Sequence, residues 1–173
     1  MRLFICGPAR HGKDTVAYIL REEFGLTHES SSHLAMRIFL RQLLGQKYGL
    51  WYASDDHCYE DRVNHREIWY NEIKAYNAVD LSRLSREIFN FCDIYVGIRD
   101  REEFLASKYL ATLSIWVDAR PRLEITGQEQ AFQSKLVREQ DCDFTICNAG
   151  TLDDLRRKVR GLFNLIYPTH AST

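Results

Sequence analysis

Gly7-Pro8-Ala9-Arg10-His11-Gly12-Lys13-Asp14-Thr15 stands between a short apolar run, residues 2–6, and a segment with helical spacing that starts at Lys13. As a pattern it reads G-x-x-x-x-G-K-D-T. Glycines at both ends let backbone N–H groups turn inward around phosphate oxygens, and the helix that follows adds the positive end of its dipole. Lys13 is expected to bridge the β- and γ-phosphates of a nucleoside triphosphate. The residue after such a lysine is usually a Ser or Thr that ligates Mg²⁺. Here it is Asp14, whose carboxylate is a hard oxygen donor able to hold Mg²⁺ directly or through water. Thr15 offers a hydroxyl for the α-phosphate. Gly7, Arg10, His11, Gly12, Lys13, Asp14 and Thr15 are thus the expected ATP-contacting residues, with Asp14 on the metal.

Outward from this loop, apolar runs alternate with helical patterns. Residues 2–6 read as a buried strand. Val16, Ile19, Leu20 and Phe24 follow at helical spacing, and Gly25 closes that helix. Residues 27–30 predict a short second strand. Ser30 to Ser32 offer an N-cap for a helix carrying Leu34, Ile38, Leu43 and Leu44, with Gly45 and Gly49 breaking its pattern. Residues 51–77 are polar and rich in aromatics, without clean periodicity before Ile68, Trp69, Ile73 and Tyr76. Asp80 is expected to cap a helix over 81–91. Strands are expected at 93–98, 113–117 and 144–147, helices at 102–109 and 128–140, and a charged loop at 118–127. Thr151 to Asp154 resemble a capping box with Asp in place of Glu, opening a last helix. Near-continuous apolar strands between helices predict an α/β fold with a mostly parallel sheet covered on both faces.

The composition agrees. A chain of 173 residues is one domain at roughly 150 residues per domain. Apolar residues make up 45% and charged residues 27%, which excludes disordered, collagen-like and coiled-coil classes. The net charge is −1, from 23 basic and 24 acidic residues, which argues against coating of duplex DNA by bulk electrostatics. The five cysteines are odd in number with no C-x-x-C pair, so they are expected to be small buried groups in a reducing, cytoplasmic compartment. The N-terminal apolar run is too short for a signal peptide, and no stretch approaches the ~20 apolar residues of a membrane span.

Three segments resemble the P-loop nucleotide kinases, above all the phage deoxynucleoside monophosphate kinases and more distantly the dephospho-coenzyme A kinases. They are the loop Gly7 to Thr15 with its G-K-D-T ending, the strand Ile94-Tyr-Val-Gly-Ile-Arg99 followed by Glu103, and Asp143-Phe-Thr-Ile-Cys-Asn148-Ala-Gly150-Thr151-Leu, similar to a closing N-x-G-T-L turn. The chain departs from the family's D-x-R pattern at Gly97, where the family carries Asp. The resemblance implies a three-layer α/β/α sandwich on five mostly parallel strands, the P-loop nucleoside triphosphate hydrolase fold, forming a single domain over residues 1–173. It implies an acceptor-binding segment over about 30–78 and a small lid over about 118–140. Arg99 would reach phosphates, Asn148, Gly150 and Thr151 would lie near the ATP base, and Arg120 and Arg122 would act from the lid.

The remaining polar groups supply further candidates. Phosphoryl transfer places negative charge on equatorial oxygens, and catalysis is mostly positioning plus cations. Arg99 and Arg120 follow strands directly, at the rim where open α/β sheets bind ligands. With Lys13 and Arg122 they form the expected catalytic set. Glu29, Arg37, Arg41, Arg66 and Trp69 are the expected acceptor contacts, Trp69 by stacking on a base. The function implied is ATP- and Mg²⁺-dependent phosphoryl transfer to a deoxynucleoside monophosphate, by a monomer or homodimer without membrane contact, in the host cytoplasm for a phage-encoded protein. The alternatives are a kinase of the hydroxyl of 5-hydroxymethyluridine in phage DNA, meeting a single modified base, and a nucleotide-binding regulatory module without turnover.

Overall fold

A computed structural model describes residues 1–120, 122–123 and 136–167. Its elements run β1 (Leu3–Cys6), α1 (Lys13–Phe24), β2 (His28–Ser30), α2 (Ser31–Ala35), a π-helical turn (Met36–Leu40), α3 (Arg41–Tyr48), α4 (Asp55–Asp61), α5 (Arg66–Asn77), α6 (Arg83–Phe91), β3 (Ile94–Val96), α7 (Arg101–Ser107), β4 (Leu113–Asp118), β5 (Phe144–Cys147) and α8 (Leu152–Ile166). The sheet order is β2-β3-β1-β4-β5, with every pairing parallel. The three-layer α/β/α architecture expected from the sequence is present.

Strand alternation divides the core into two faces. Leu3 and Ile5 of β1 pack with Val16, Ile19 and Leu20 of α1 and with Leu155, Val159 and Phe163 of α8. Phe4 and Cys6 point the other way, among Leu84, Ile88, Tyr95 and Phe104. Phe4 meets the rings of Phe89 and Phe104 edge-on, with centroids 5.0 and 5.4 Å away. Burying each such side chain stabilises the fold by about 1.5–3 kcal/mol. A satellite cluster of Met36, Leu40, Leu44, Cys58 and Trp69 holds the helices between β2 and α6 together.

Several local expectations need correction. The helix after Ser30 does not stop at Gly45. It runs through that buried glycine to Tyr48, where Gly49 closes it in the left-handed region. A Cβ on Gly45 would lie 2.5 Å from the Trp51 ring, so the glycine makes room for an indole. The π turn at Met36–Leu40 shifts the helical register, which leaves Ile38 exposed while Leu34, Leu40 and Leu44 are buried. Residues 51–77, without clear pattern in the sequence, form α4 and α5. Asp80 accepts from the Ser82 N–H and hydroxyl, but Ser82 is the N-cap residue of α6. The helix expected over 128–140 lies outside the described residues up to 135. Over 136–140 the chain is not α-helical: Leu136 bridges Asp100, and Glu139 opens a 3₁₀ turn. Among the cysteines, Cys6 and Cys58 are buried, but Cys147 is exposed.

Candidate functional site: a phosphate loop opening on an acceptor cleft

The phosphate loop spans the C-terminal end of β1 and the start of α1. Gly7 and Gly12 have φ of 137° and 92°, and Arg10 sits at 66°, the only described non-glycine residue at positive φ. Both glycines are also required by space. A Cβ on Gly7 would come within 2.5 Å of the Val117 carbonyl oxygen, and one on Gly12 would collide with the Asn148 side-chain amide. Lys13 is only 8% exposed, and its ammonium donates to the Pro8 carbonyl at 2.6 Å, folded across the loop it serves. Asp14 and Arg10 are exposed at the loop's outer side.

Contacts from the ends of β4 and β5 hold this loop from outside. His11 is 2% exposed; its Nδ1 accepts the Ala119 N–H at 2.9 Å, which makes Nε2 the protonated nitrogen of the neutral ring. The Asn148 amide donates to the His11 carbonyl at 3.0 Å. Thr151 caps α8 through a reciprocal pair with Asp154, and a Cβ on Gly150 would crowd the Asp154 carboxylate. Asn148 therefore lies beside the loop at the β5 end, and Gly150 and Thr151 follow it at the start of α8.

The lid candidates divide. Arg120 is held by Asp118, through Nε at 2.9 Å to both carboxylate oxygens, and by Glu139 at 2.5 Å. That guanidinium pulls the Asp118 carboxyl below its usual range. The Arg122 Nε donates to the Asn148 carbonyl at 2.9 Å, on the nucleotide side. The rest of the expected lid, residues 121 and 124–135, lies outside the described residues.

A cleft of about 380 Å³ opens from the loop. Ala9, Arg10, Lys13 and Asp14 form one end; Tyr59, Arg62, Arg66, Trp69, Tyr70, Ile73 and Lys74 come from α4, α5 and the turn between them; Gly97, Arg99, Asp100 and Glu103 follow β3. A Cβ on Gly97 would sit 3.7 Å from the Lys13 Cε, so the strand end faces the phosphate lysine directly. Arg99 also lines a neighbouring cavity of about 340 Å³ bounded by Gly7, Trp116, Arg120 and residues 136–140. Arg62 reaches across to the Ser32 hydroxyl at 2.5 Å and lies over the Tyr59 ring.

Of the acceptor candidates, Arg66 and Trp69 line this cleft, Trp69 while belonging to the satellite core. Glu29, Arg37 and Arg41 are not brought to it. Glu29 receives the His33 Nδ1 at 2.9 Å with Arg37 3.9 Å away, and Arg41 ties to Asp55 at 2.6 Å and to the Tyr52 carbonyl. Asp100 and Glu103 are not among the acceptor contacts expected from the sequence. Asp100 caps α7 and lies 3.6 Å from Lys74; Glu103 is 7% exposed, and burial pushes its carboxyl up to about 7.

The Gly7 and Gly12 cradle is a backbone surface no side chain could share, which suits close-packed phosphate oxygens. Among the described residues no cluster of three or more His, Cys, Asp or Glu is placed for a metal. Within the loop itself Asp14 is the one carboxylate, a hard oxygen donor of the kind that suits Mg²⁺. Also among the described residues, no helix is long and apolar enough to cross a membrane.

No protein-family model and no curated protein matches the chain. Solved structures share its fold. A shikimate kinase from Bacteroides thetaiotaomicron aligns with TM-score 0.56 at 10% identity, over 96% of this chain and 98% of that one. A shikimate kinase from Acinetobacter baumannii, in complex with shikimate, aligns with TM-score 0.55 at 14% identity over 99% and 95%. A dephospho-CoA kinase from Campylobacter jejuni aligns with TM-score 0.50 at 15% identity over 96% and 97%. The chain shares its fold with these kinases.

Proposed function

We propose that the protein transfers the γ-phosphoryl group of ATP to a deoxynucleoside monophosphate. The observation that carries this reading is the continuity of the cleft: Lys13 and Asp14 at one end, Arg62, Arg66 and Arg99 along it, and Tyr59, Trp69 and Tyr70 in its wall. A monophosphate oxygen is already ionised near neutral pH, so its attack needs no general base. It needs cations that offset two approaching anions, and the planar fork of arginine suits that task.

In this mechanism the Gly7–Gly12 backbone cradles the phosphates, and Lys13 turns its ammonium from the Pro8 carbonyl to the β- and γ-phosphates. Asn148, Gly150 and Thr151 border the adenine. Arg99, standing between the two cavities, meets the transferred group, while Arg62 and Arg66 hold the acceptor phosphate. Arg120 and Arg122 complete the cation set from the β4 end. Asp14 would hold Mg²⁺, which would supply charge neutralisation at the transferring group.

The test is transfer from γ-labelled ATP over the four deoxynucleoside monophosphates, a hydroxymethylated deoxyuridine monophosphate and DNA containing that base. Labelled diphosphate product is expected. ATP turnover with none of these acceptors would sink the reading.

One observation favours a second reading, a neutral hydroxyl acceptor such as 5-hydroxymethyluridine in DNA: two buried carboxylates, Asp100 and Glu103, line the cleft. Under that reading one of them serves as general base. A thousandfold loss of kcat in Glu103→Gln with acceptor KM unchanged would favour it.

A further inference from the structure

Within the cleft, α5 meets the start of α7, where the Lys74 ammonium lies 3.6 Å from Asp100. Tyr70, Ile73 and Lys74 project from α5, and Asp100 and Glu103 from the start of α7. The two carboxylates are not equivalent. Asp100 Oδ1 accepts the N–H groups of Glu102 and Glu103, and Oδ2 lies 3.6 Å from the Lys74 ammonium. Among the described residues no cation lies within ion-pair distance of Glu103, whose neighbour is the Asn77 side-chain amide. A buried carboxylate without a cation is costly unless hydrogen-bond donors reach it. The cleft is the side from which such donors can come.

We propose that Glu103 reads the base of the acceptor nucleotide, accepting the adjacent N–H donors of a guanine-type edge while Lys74 donates to the neighbouring ring carbonyl. This rests on the monophosphate-kinase reading and names the acceptor within it. The lining supplies a group for each part of such a ligand: arginines for the phosphate, the Tyr70 ring and the apolar Ile73 for the base, and Lys74 beside Asp100 and Glu103 for its polar edge. Guanine is the base whose Watson–Crick edge places two N–H donors side by side next to a carbonyl. Adenine and cytosine present an unprotonated ring nitrogen there, which repels a carboxylate, and thymine offers one N–H.

The titration of Glu103 supports the assignment. Burial raises its pKa first and the Asp100 charge adds to this, against the Asn77 hydrogen bond and the Lys74 charge, so that it stands at about 7. The phenol of Tyr95, on β3 beneath, is the remaining titratable group facing it and is neutral in this range. Binding two N–H donors needs the ionised form. The acceptor KM should therefore rise as pH falls below 7.

The experiment is the labelled-ATP transfer assay on wild-type protein and on Glu103→Gln, with dGMP, dIMP, dAMP, dCMP and dTMP as acceptors at pH 6 and 8. Expected for wild type are the highest kcat/KM with dGMP, a loss of about tenfold or more with dIMP, which lacks the second donor, and a higher dGMP KM at pH 6. Glu103→Gln should raise the dGMP KM by about tenfold or more with kcat within a few-fold, and should lose both the dIMP discrimination and the pH dependence. The dGMP and dIMP comparison needs no mutation and stands even where the variant fails to fold. Transfer to monophosphates without preference for dGMP over dIMP overturns this inference alone. A large kcat loss in Glu103→Gln at unchanged KM overturns it in favour of a general base. Transfer to no monophosphate at all overturns the functional reading and this inference with it.

Discussion

The Asn148 side-chain amide donates to the His11 carbonyl at 3.0 Å, a buried bond between residues 137 apart in sequence. It fastens the middle of the phosphate loop to the end of β5. The same amide nitrogen occupies the space that any side chain on Gly12 would need. The conformation of the loop is therefore set by the far edge of the sheet as well as by its own glycines.

Asn148→Ala removes this buried hydrogen bond to the His11 carbonyl, a loss of about 1–3 kcal/mol. The loop should loosen, raising the KM for ATP several-fold with a smaller effect on kcat. Urea unfolding and ATP titrations check both, and a variant unchanged in both would show that the bond is dispensable.

Lys13→Ala should lower turnover by on the order of a hundredfold or more, corresponding to ~3 kcal/mol of lost transition-state contacts. Folding should survive the change, which the thermal transition checks. Near-normal turnover with a normal thermal transition would exclude this loop from the chemistry.

Asp14 is an exposed carboxylate in the first turn of α1. As a Mg²⁺ ligand, its change to Asn should move the Mg²⁺ activation midpoint to higher concentration while saturating Mg²⁺ restores most activity. An unmoved midpoint, with slightly reduced stability, would leave Asp14 only the role of a negative charge at a helix N-terminus.

The parts of the molecule legible in sequence were those fixed by local chemistry. The G-x-x-x-x-G-K spacing places α1 at its observed start, Lys13, and the Thr151–Asp154 capping box marks the start of α8. Strands buried on both faces announce themselves as unbroken apolar runs. What remained hidden depends on partners distant in the chain. Gly45 reads as a helix breaker, because the Trp51 ring that fills the space beside it is a tertiary fact. Arg37 and Arg41 are four apart, but the π turn at Met36–Leu40 includes Arg37 and ends just before Arg41, and Asp55 holds Arg41 off the cleft. Asp100 followed three residues later by Glu103 is an ordinary helix-start signal. Only the packing of α5, from over 20 residues upstream, turns that signal into two carboxylates in a cleft.

Glu103 makes stability depend on pH in a definite direction. Its carboxyl stands at about 7 in the folded protein, above the ordinary value of 4.5, so the folded state binds the proton more tightly than the unfolded one. The stabilisation is complete below the ordinary value and is lost as pH rises through 7. Glu103→Gln should then differ little from wild type at pH 5 and be more stable at pH 8, by up to about 3 kcal/mol. Thermal unfolding at the two pH values decides, and an equal difference at both would exclude a buried titrating carboxyl.

The last expectation separates the arginines. Arg66 lines the cleft from the first turn of α5, is exposed, and has no carboxylate partner among the described residues. Arg41 lies off the cleft with its guanidinium on Asp55 and the Tyr52 carbonyl, where it joins α3 to the start of α4. An arginine that clamps an acceptor phosphate adds charge-assisted hydrogen bonds of about 1.5–3 kcal/mol to binding. Arg66→Ala should therefore raise the acceptor KM by roughly tenfold to a hundredfold, with ATP KM and thermal stability near wild type. Arg41→Ala should do the reverse, keeping both KM values while lowering stability by up to about 1 kcal/mol, because its pair is partly exposed and screened. Arg99→Ala, between the two cavities, should lower kcat as well as weaken acceptor binding, since its charge meets the group in transit. Equal effects of Arg66 and Arg41 on the acceptor KM would mean that the helices between β2 and α6 rearrange around the acceptor, and that the cleft described here is not the surface it meets.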